Sequence, residues 1–136
     1  MSKTYVLDAS AVLDLLDNGP GAGRVERLLI EADRSSNPLL ASVANWGEVF
    51  YLSWQRHGEQ SARETMADLS RLPIRVVPVD LPQALKAGEL KALHKIPYVD
   101  CIAAVLAVEQ RATLVTSDRD FEKLGRQFSI LWIPRP

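Results

Sequence analysis

Five short runs rich in β-branched and other apolar residues, Tyr5 to Leu7, Leu39 to Ser42, Arg75 to Val79, Thr113 to Thr116 and Ile130 to Ile133, read as strands. Between them lie stretches with helical patterning, over about Ser10 to Asp17, Ala22 to Asp33, Val43 to His57, Gln60 to Arg71, Pro82 to His94, Pro97 to Gln110 and Asp118 to Leu124. Strands that alternate with helices predict an α/β chain, a three-layer α/β/α sandwich around a mainly parallel sheet. Ser10 is expected to cap the first helix, an office Asp8 could also fill. Pro82 and Pro97 suit first-turn positions, and Gly58 and Gly125 suit helix ends.

Four acids interrupt this apolar framework. Asp8 closes the first strand, Glu48 lies inside Trp46-Gly47-Glu48-Val49-Phe50, Asp100 inside Tyr98-Val99-Asp100-Cys101-Ile102, and Asp118 follows Leu114-Val115-Thr116. A buried charge is costly unless it is paired, and no matching set of buried Lys or Arg is evident in these segments. A group of carboxylates without partner cations points to a hard divalent metal, which takes oxygen ligands. Parallel α/β sheets collect ligands beyond the carboxyl ends of their strands. Asp8 and Asp118 belong at that edge, and Glu48 and Asp100, early in their helices, face it.

Asp100 is the most informative of the four. It is the single charge between Pro97 and Val108, so its helix is apolar all round and should be deeply packed. At about 100° per residue its surface neighbours are Ala103, Ala104 and Ala107, small side chains that leave room for an ion and a substrate. A simple helix-start carboxylate is the plain alternative for Asp100, a cap for Asp8 or Asp118, and a salt-bridged border residue for Glu48.

With 136 residues, the chain suits one domain spanning residues 1–136. Its composition, 47% hydrophobic and 24% charged, is that of an ordinary globular protein, and no segment approaches the roughly 20 apolar residues of a membrane span. The short apolar start broken by Asp8 does not read as a signal peptide, and the lone Cys101 cannot form an internal disulfide, so a cytoplasmic location is expected. A net charge of -1 gives no bulk signal for nucleic acid. His57 and His94 read as surface residues and Cys101 as a core thiol.

Four blocks in order, Tyr5-Val6-Leu7-Asp8-Ala9-Ser10, Ser42-Val43-Ala44-Asn45-Trp46-Gly47-Glu48-Val49, Tyr98-Val99-Asp100-Cys101-Ile102-Ala103-Ala104 and Leu114-Val115-Thr116-Ser117-Asp118-Arg119-Asp120-Phe121, resemble those of the PIN-domain nucleases, with a layout similar to the VapC toxins of bacterial toxin-antitoxin pairs. The resemblance implies a metal-dependent endoribonuclease in which Asp8, Asp100 and Asp118 hold Mg²⁺ or Mn²⁺ and Glu48 completes the shell directly or through water. Such an ion would polarise a phosphodiester and activate water for in-line attack. Ser10 and Thr116 would be helper positions, Asp120 an additional acid, and Arg119 a phosphate contact. The resemblance further implies a tRNA or rRNA substrate, a homodimer and a small VapB-type antitoxin, with Leu13, Leu16, Phe50, Tyr51 and Trp54 available for those interfaces.

Other readings fare less well. A haloacid-dehalogenase-type phosphatase would want an acid where Ser10 stands, and the loop Gly19 to Gly23 neither follows a strand nor precedes a Lys-Ser/Thr pair. A catalytically silent RNA- or protein-binding module of the same fold, and a housekeeping nuclease outside any toxin pair, are the remaining alternatives. Gly47, inside a helix, is expected to mark close packing against the neighbouring strand.

Overall fold

The computed structural model describes residues 3–136. In chain order the elements are β1 (Tyr5–Leu7), α1 (Ala9–Leu16), α2 (Ala22–Ser35), β2 (Leu39–Ser42), α3 (Val43–His57), α4 (Glu59–Leu69), β3 (Ile74–Val77), α5 (Leu81–Leu93), α6 (Tyr98–Glu109), β4 (Thr113–Thr116), a 3₁₀ helix (Arg119–Leu124) and β5 (Ile130–Trp132). The strands form one sheet in the order β3-β2-β1-β4-β5, and every pairing is parallel. The expected α/β sandwich is therefore present, with its sheet wholly rather than mainly parallel.

Alternation along the strands builds two cores. Val6 and Leu114 face one side, where they pack with α5, α6, Phe121 and Leu124, whereas their neighbours Leu7 and Val115 face the other, against α1, α2 and Val49 of α3. Helices thus cover both faces, as a parallel sheet requires. α6 is the most deeply set: every residue from Asp100 to Ala107 is buried, which matches its nearly uncharged sequence.

Local boundaries differ from expectation in several places, among them β3, which runs from Ile74 to Val77 and not from Arg75 to Val79. Asp8, not Ser10, is the N-cap of α1, its carboxylate accepting from the Ala11 N–H, so Ser10 lies within the first turn. The segment after Asp118 is a 3₁₀ helix instead of an α-helix, and it ends at Gly125 with φ of 82°. That left-handed conformation suits glycine, as does φ of 90° at Gly58 between α3 and α4. Pro82 lies in the first turn of α5, capped by Asp80, as expected, whereas Pro97 is the N-cap of α6 and so precedes the first turn it was expected to occupy.

A third buried acid, beside Asp8 and Asp100, escaped the sequence reading. Asp14, in the apolar run Val12-Leu13-Asp14-Leu15-Leu16, is 4% exposed and accepts a 2.5 Å hydrogen bond from the Gly21 N–H, which fastens the Asn18 to Gly21 loop onto α1. A Cβ at Gly19 would overlap the Asp14 carboxylate, and one at Gly21 would meet that carboxylate and lie 2.9 Å from Ile133. Gly21→Ala is therefore expected to destabilise the fold by about 1–3 kcal/mol through overpacking, read as a lower denaturant midpoint. An unchanged midpoint would show that the loop yields without cost.

Gly47 is the opposite case. A Cβ there meets nothing within 4 Å, so the expected close packing against a strand is absent. The residue is exposed on α3. Gly47→Ala should stabilise by about 1 kcal/mol, because alanine loses less backbone entropy in a helix. Thermal unfolding checks this, and no gain would imply hidden strain at the site.

Candidate active site

The order of the sheet reverses between β1 and β4: β2 and β3 extend to one side of β1, and β5 to the far side of β4. Beyond the carboxyl ends of these two central strands the flanking connections part and leave a crevice. β1 delivers Asp8 directly to it. β4 delivers Thr116, Ser117 and Asp118. α3 and α6 both begin at the same edge and bring Glu48, in the second turn of one, and Asp100, in the first turn of the other.

Asp8 is held from three directions. Its Oδ1 accepts from the Ser10 hydroxyl at 2.6 Å and from the Ala11 N–H at 3.0 Å, and its Oδ2 accepts from the Thr116 hydroxyl at 2.5 Å. With both hydroxyl protons given to the carboxylate, the oxygens act as acceptors on their other side. The Ser117 N–H donates to Ser10 Oγ at 3.1 Å and the Asp118 N–H to Thr116 Oγ1 at 2.9 Å. Ser10 and Thr116 therefore lock the end of β4 onto the end of β1. Asp118 in turn caps the 3₁₀ helix by accepting from the Asp120 N–H at 2.9 Å. The capping alternatives for Asp8 and Asp118 and the metal reading coexist, since each carboxylate keeps unused lone pairs.

Asp100 is the acid on which the charges of the other four converge. Burial pushes Asp100 up to about 7, and the charges of Asp118, Asp8, Glu48 and Asp120 push in the same direction. Asp8 is pushed up to about 6, by burial first, against the opposing hydrogen bonds from Ser10, Thr116 and Ala11. Among the described residues no Lys, Arg or His forms an ion pair with Asp8, Glu48, Asp100 or Asp118, whereas Asp120 lies 3.3 Å from Lys123. A cluster this short of positive charge fits a divalent cation. Carboxylate oxygens of Asp100, Asp118 and Asp120 all lie within 4.8 Å of one another, a hard-donor set with no histidine. The tightest trio thus includes Asp120, where the sequence pointed first to Asp8.

Glu48 is half-buried, and one of its oxygens accepts from the Asn45 side-chain amide at 3.4 Å. Asn45 is almost wholly buried and its Oδ1 has no partner. Arg119 lies with its guanidinium carbon 4.4 Å from the centre of the Trp132 ring and its Nη1 3.4 Å from Glu122. Elsewhere, His57 is exposed, with Nε2 3.8 Å from Asp17, and burial pushes the Cys101 thiol up, so neither belongs to the cluster. The aromatic face on α3 includes Tyr51 and Trp54, both substantially exposed, and Arg63 of α4 lies 5.5 and 5.6 Å from the Phe50 and Trp54 ring centres.

The PIN domain family matches residues 5–127, nearly the whole chain, and the chain belongs to that family. All four of the sequence blocks that resemble the PIN-domain nucleases lie within the matched residues. Its fold is similar to that of DNA-bound VapBC from Salmonella typhimurium, with a TM-score of 0.73 and 14% identity over 96% of this chain and 98% of that one. VapBC2 from Rickettsia felis, bound to a DNA fragment from its promoter, is similar with a TM-score of 0.72 and 17% identity over 96% and 98% of the two chains. The sarcin-ricin loop cleaving toxin VapC20 from Mycobacterium tuberculosis gives 0.65 and 20% over 89% and 95%. Likeness at these identities establishes a common fold. No curated protein matches the sequence.

Proposed function

We propose that the chain is a Mg²⁺- or Mn²⁺-dependent endoribonuclease and the toxin of a VapBC-type pair. The observation that carries this reading is the convergence of Asp8, Glu48, Asp100, Asp118 and Asp120, from four separate parts of the chain, on one strand edge with a shortage of compensating positive charge. Buried repulsion of that kind costs stability and is retained where it binds something. Asp100, Asp118 and Asp120 would hold the ion, with Asp8 at its edge and Glu48 nearby, directly or through water. A bound divalent ion supplies polarisation of the scissile phosphate and a lowered pKa for water. The chain's own residues do the rest: Ser10 and Thr116 fix the Asp8 carboxylate, Thr116 also fixes the Asp118 backbone, and Arg119 offers a cation to the phosphate.

A tRNA or rRNA substrate is consistent with VapC20 being a sarcin-ricin loop cleaving toxin, and a VapB-type partner with the VapBC complexes of the same fold. The hollow among Val43, Trp46, Phe50, Arg63 and Met66, beside exposed Tyr51 and Trp54, has the apolar character an antitoxin segment or a second subunit would cover. Among the described residues no helix is long and apolar enough to cross a membrane, and a cytoplasmic site of action agrees with a cellular RNA target.

The decisive experiment incubates the purified protein with a panel of tRNA and rRNA in Mn²⁺, Mg²⁺ or EDTA and maps the ends produced. Cleavage that persists in EDTA overturns the metal reading. Absence of cleavage with every RNA, together with intact RNA binding, favours the silent binding module. A short antitoxin-like reading frame next to the gene supports the toxin role, and a solitary locus supports a housekeeping nuclease.

A further inference from the structure

Two hollows flank the contact between Arg119 and Trp132, and the first of them includes Asp118 and Asp120. One, of about 510 Å³, is lined by Ser10, Ser117, Asp118, Arg119, Asp120 and Arg135. The other, of about 540 Å³, contains Arg126, Phe128 and Trp132. Arg119 belongs to the first and Trp132 to the second, and the two side chains stack at 4.4 Å, so this pair forms the wall shared by both. The guanidinium lies over the indole ring, while the side chain remains 38% exposed and borders the first hollow. One Arg119 nitrogen donates to Glu122 at 3.4 Å, a contact between two exposed side chains three residues apart. The molecule has no net positive charge, yet Arg119, Arg126 and Arg135 line these adjacent spaces.

Flat cationic and aromatic surfaces placed beside a phosphodiester-cleaving centre have a specific chemical use. Unpaired bases stack on rings and on arginine planes, while the phosphates between them take arginine nitrogens, and a duplex cannot present its bases in this way. Resting on the endoribonuclease reading above, we infer that the Arg119–Trp132 pair is a stacking platform for an unpaired nucleotide flanking the scissile phosphate, with Arg135 and Arg126 as phosphate contacts on either side. Trp132 is fixed for this by β5, whose pairing with β4 aligns Trp132 with Thr116, so platform and acids share one strand register.

Binding of a short fluorescein-labelled single-stranded RNA of mixed sequence, followed by anisotropy in EDTA so that no cleavage occurs, tests the platform apart from the chemistry. Trp132→Leu keeps bulk but removes the ring, and Arg119→Lys keeps charge but removes the plane. Each is expected to weaken binding about tenfold, within the range that loss of one base stack produces, and a fully paired RNA of the same length is expected to bind more weakly than the single strand. In turnover with Mn²⁺, Trp132→Leu should raise KM and leave kcat near the parent value. Unchanged affinity in both variants, or duplex bound as tightly as single strand, overturns the platform. Failure of the parent protein to cleave any RNA, with the variants still weakened in binding, overturns the nuclease reading instead and leaves the platform standing.

Discussion

Asp100→Asn is expected to abolish metal-dependent RNA cleavage while making the metal-free protein more stable. The activity loss follows from the donor set, since Asp100 supplies one of the three carboxylates whose oxygens lie within 4.8 Å of one another. Stabilisation of developing charge by a bound divalent ion is worth several kcal/mol, so a displaced or lost ion corresponds to about 10³-fold in rate. The stability gain follows from burial and repulsion. Asp100 is 8% exposed, no group among the described residues donates a hydrogen bond to its carboxylate, and burial, with four other acids acting in the same direction, pushes its pKa up to about 7. An amide of the same shape carries no charge and can donate to those neighbours. At pH 8 without metal the gain should be about 1–3 kcal/mol, seen as a higher thermal midpoint. A variant that cleaves at the parent rate would remove Asp100 from the site, and one that melts lower would mean the carboxylate supports the fold rather than burdening it.

That opposition between stability and function is also why the site was legible in the sequence. An acid closing Tyr5-Val6-Leu7 or lying in the apolar stretch Val99 to Leu106 contradicts local burial, and such contradictions mark function more often than packing. The strands and helices follow from periodicity, and the shared sheet edge of Asp8 and Asp118 follows from each acid coming directly after a strand, but the pairing of β1 with β4 is shown only by the structure. Asp120 is less legible than Asp8, because a charge at the start of a helix is as readily solvated as liganded, and only the 3₁₀ turn capped by Asp118 brings it beside Asp100. Asp14 was missed although it too interrupts an apolar run, since its partner is a backbone N–H seven residues away, supplied by a glycine loop that carries no side-chain signal. The stacking of Arg119 on Trp132 was equally hidden, because it depends on β5 lying beside β4.

The stability of the metal-free protein should fall as the pH rises from about 4 to about 7, and divalent metal should suppress that fall. Asp8 and Asp100 have folded-state pKa values raised to about 6 and about 7, both above the unfolded value of 3.8. Between these limits the native state binds more protons than the unfolded chain, so unfolding free energy decreases with pH. The contribution is fully present below pH 3.8 and lost on passing through the raised values. Because the two carboxylates interact, they titrate as a coupled system, and together they are expected to remove on the order of 2–4 kcal/mol by pH 8. Metal binding requires the ionised forms, so affinity for Mn²⁺ or Mg²⁺ should rise over the same interval. At a hundredfold excess over Kd the ion adds about 2.7 kcal/mol to the native state, enough to flatten or reverse the slope at neutral pH. Thermal unfolding at pH 5.5 and pH 8, each in EDTA and in Mn²⁺, separates the effects. A metal-free protein that grows more stable toward pH 8 would show that the acids are neutralised by something other than a cation, and a Mn²⁺ shift as large at pH 5.5 as at pH 8 would show that the ion binds elsewhere.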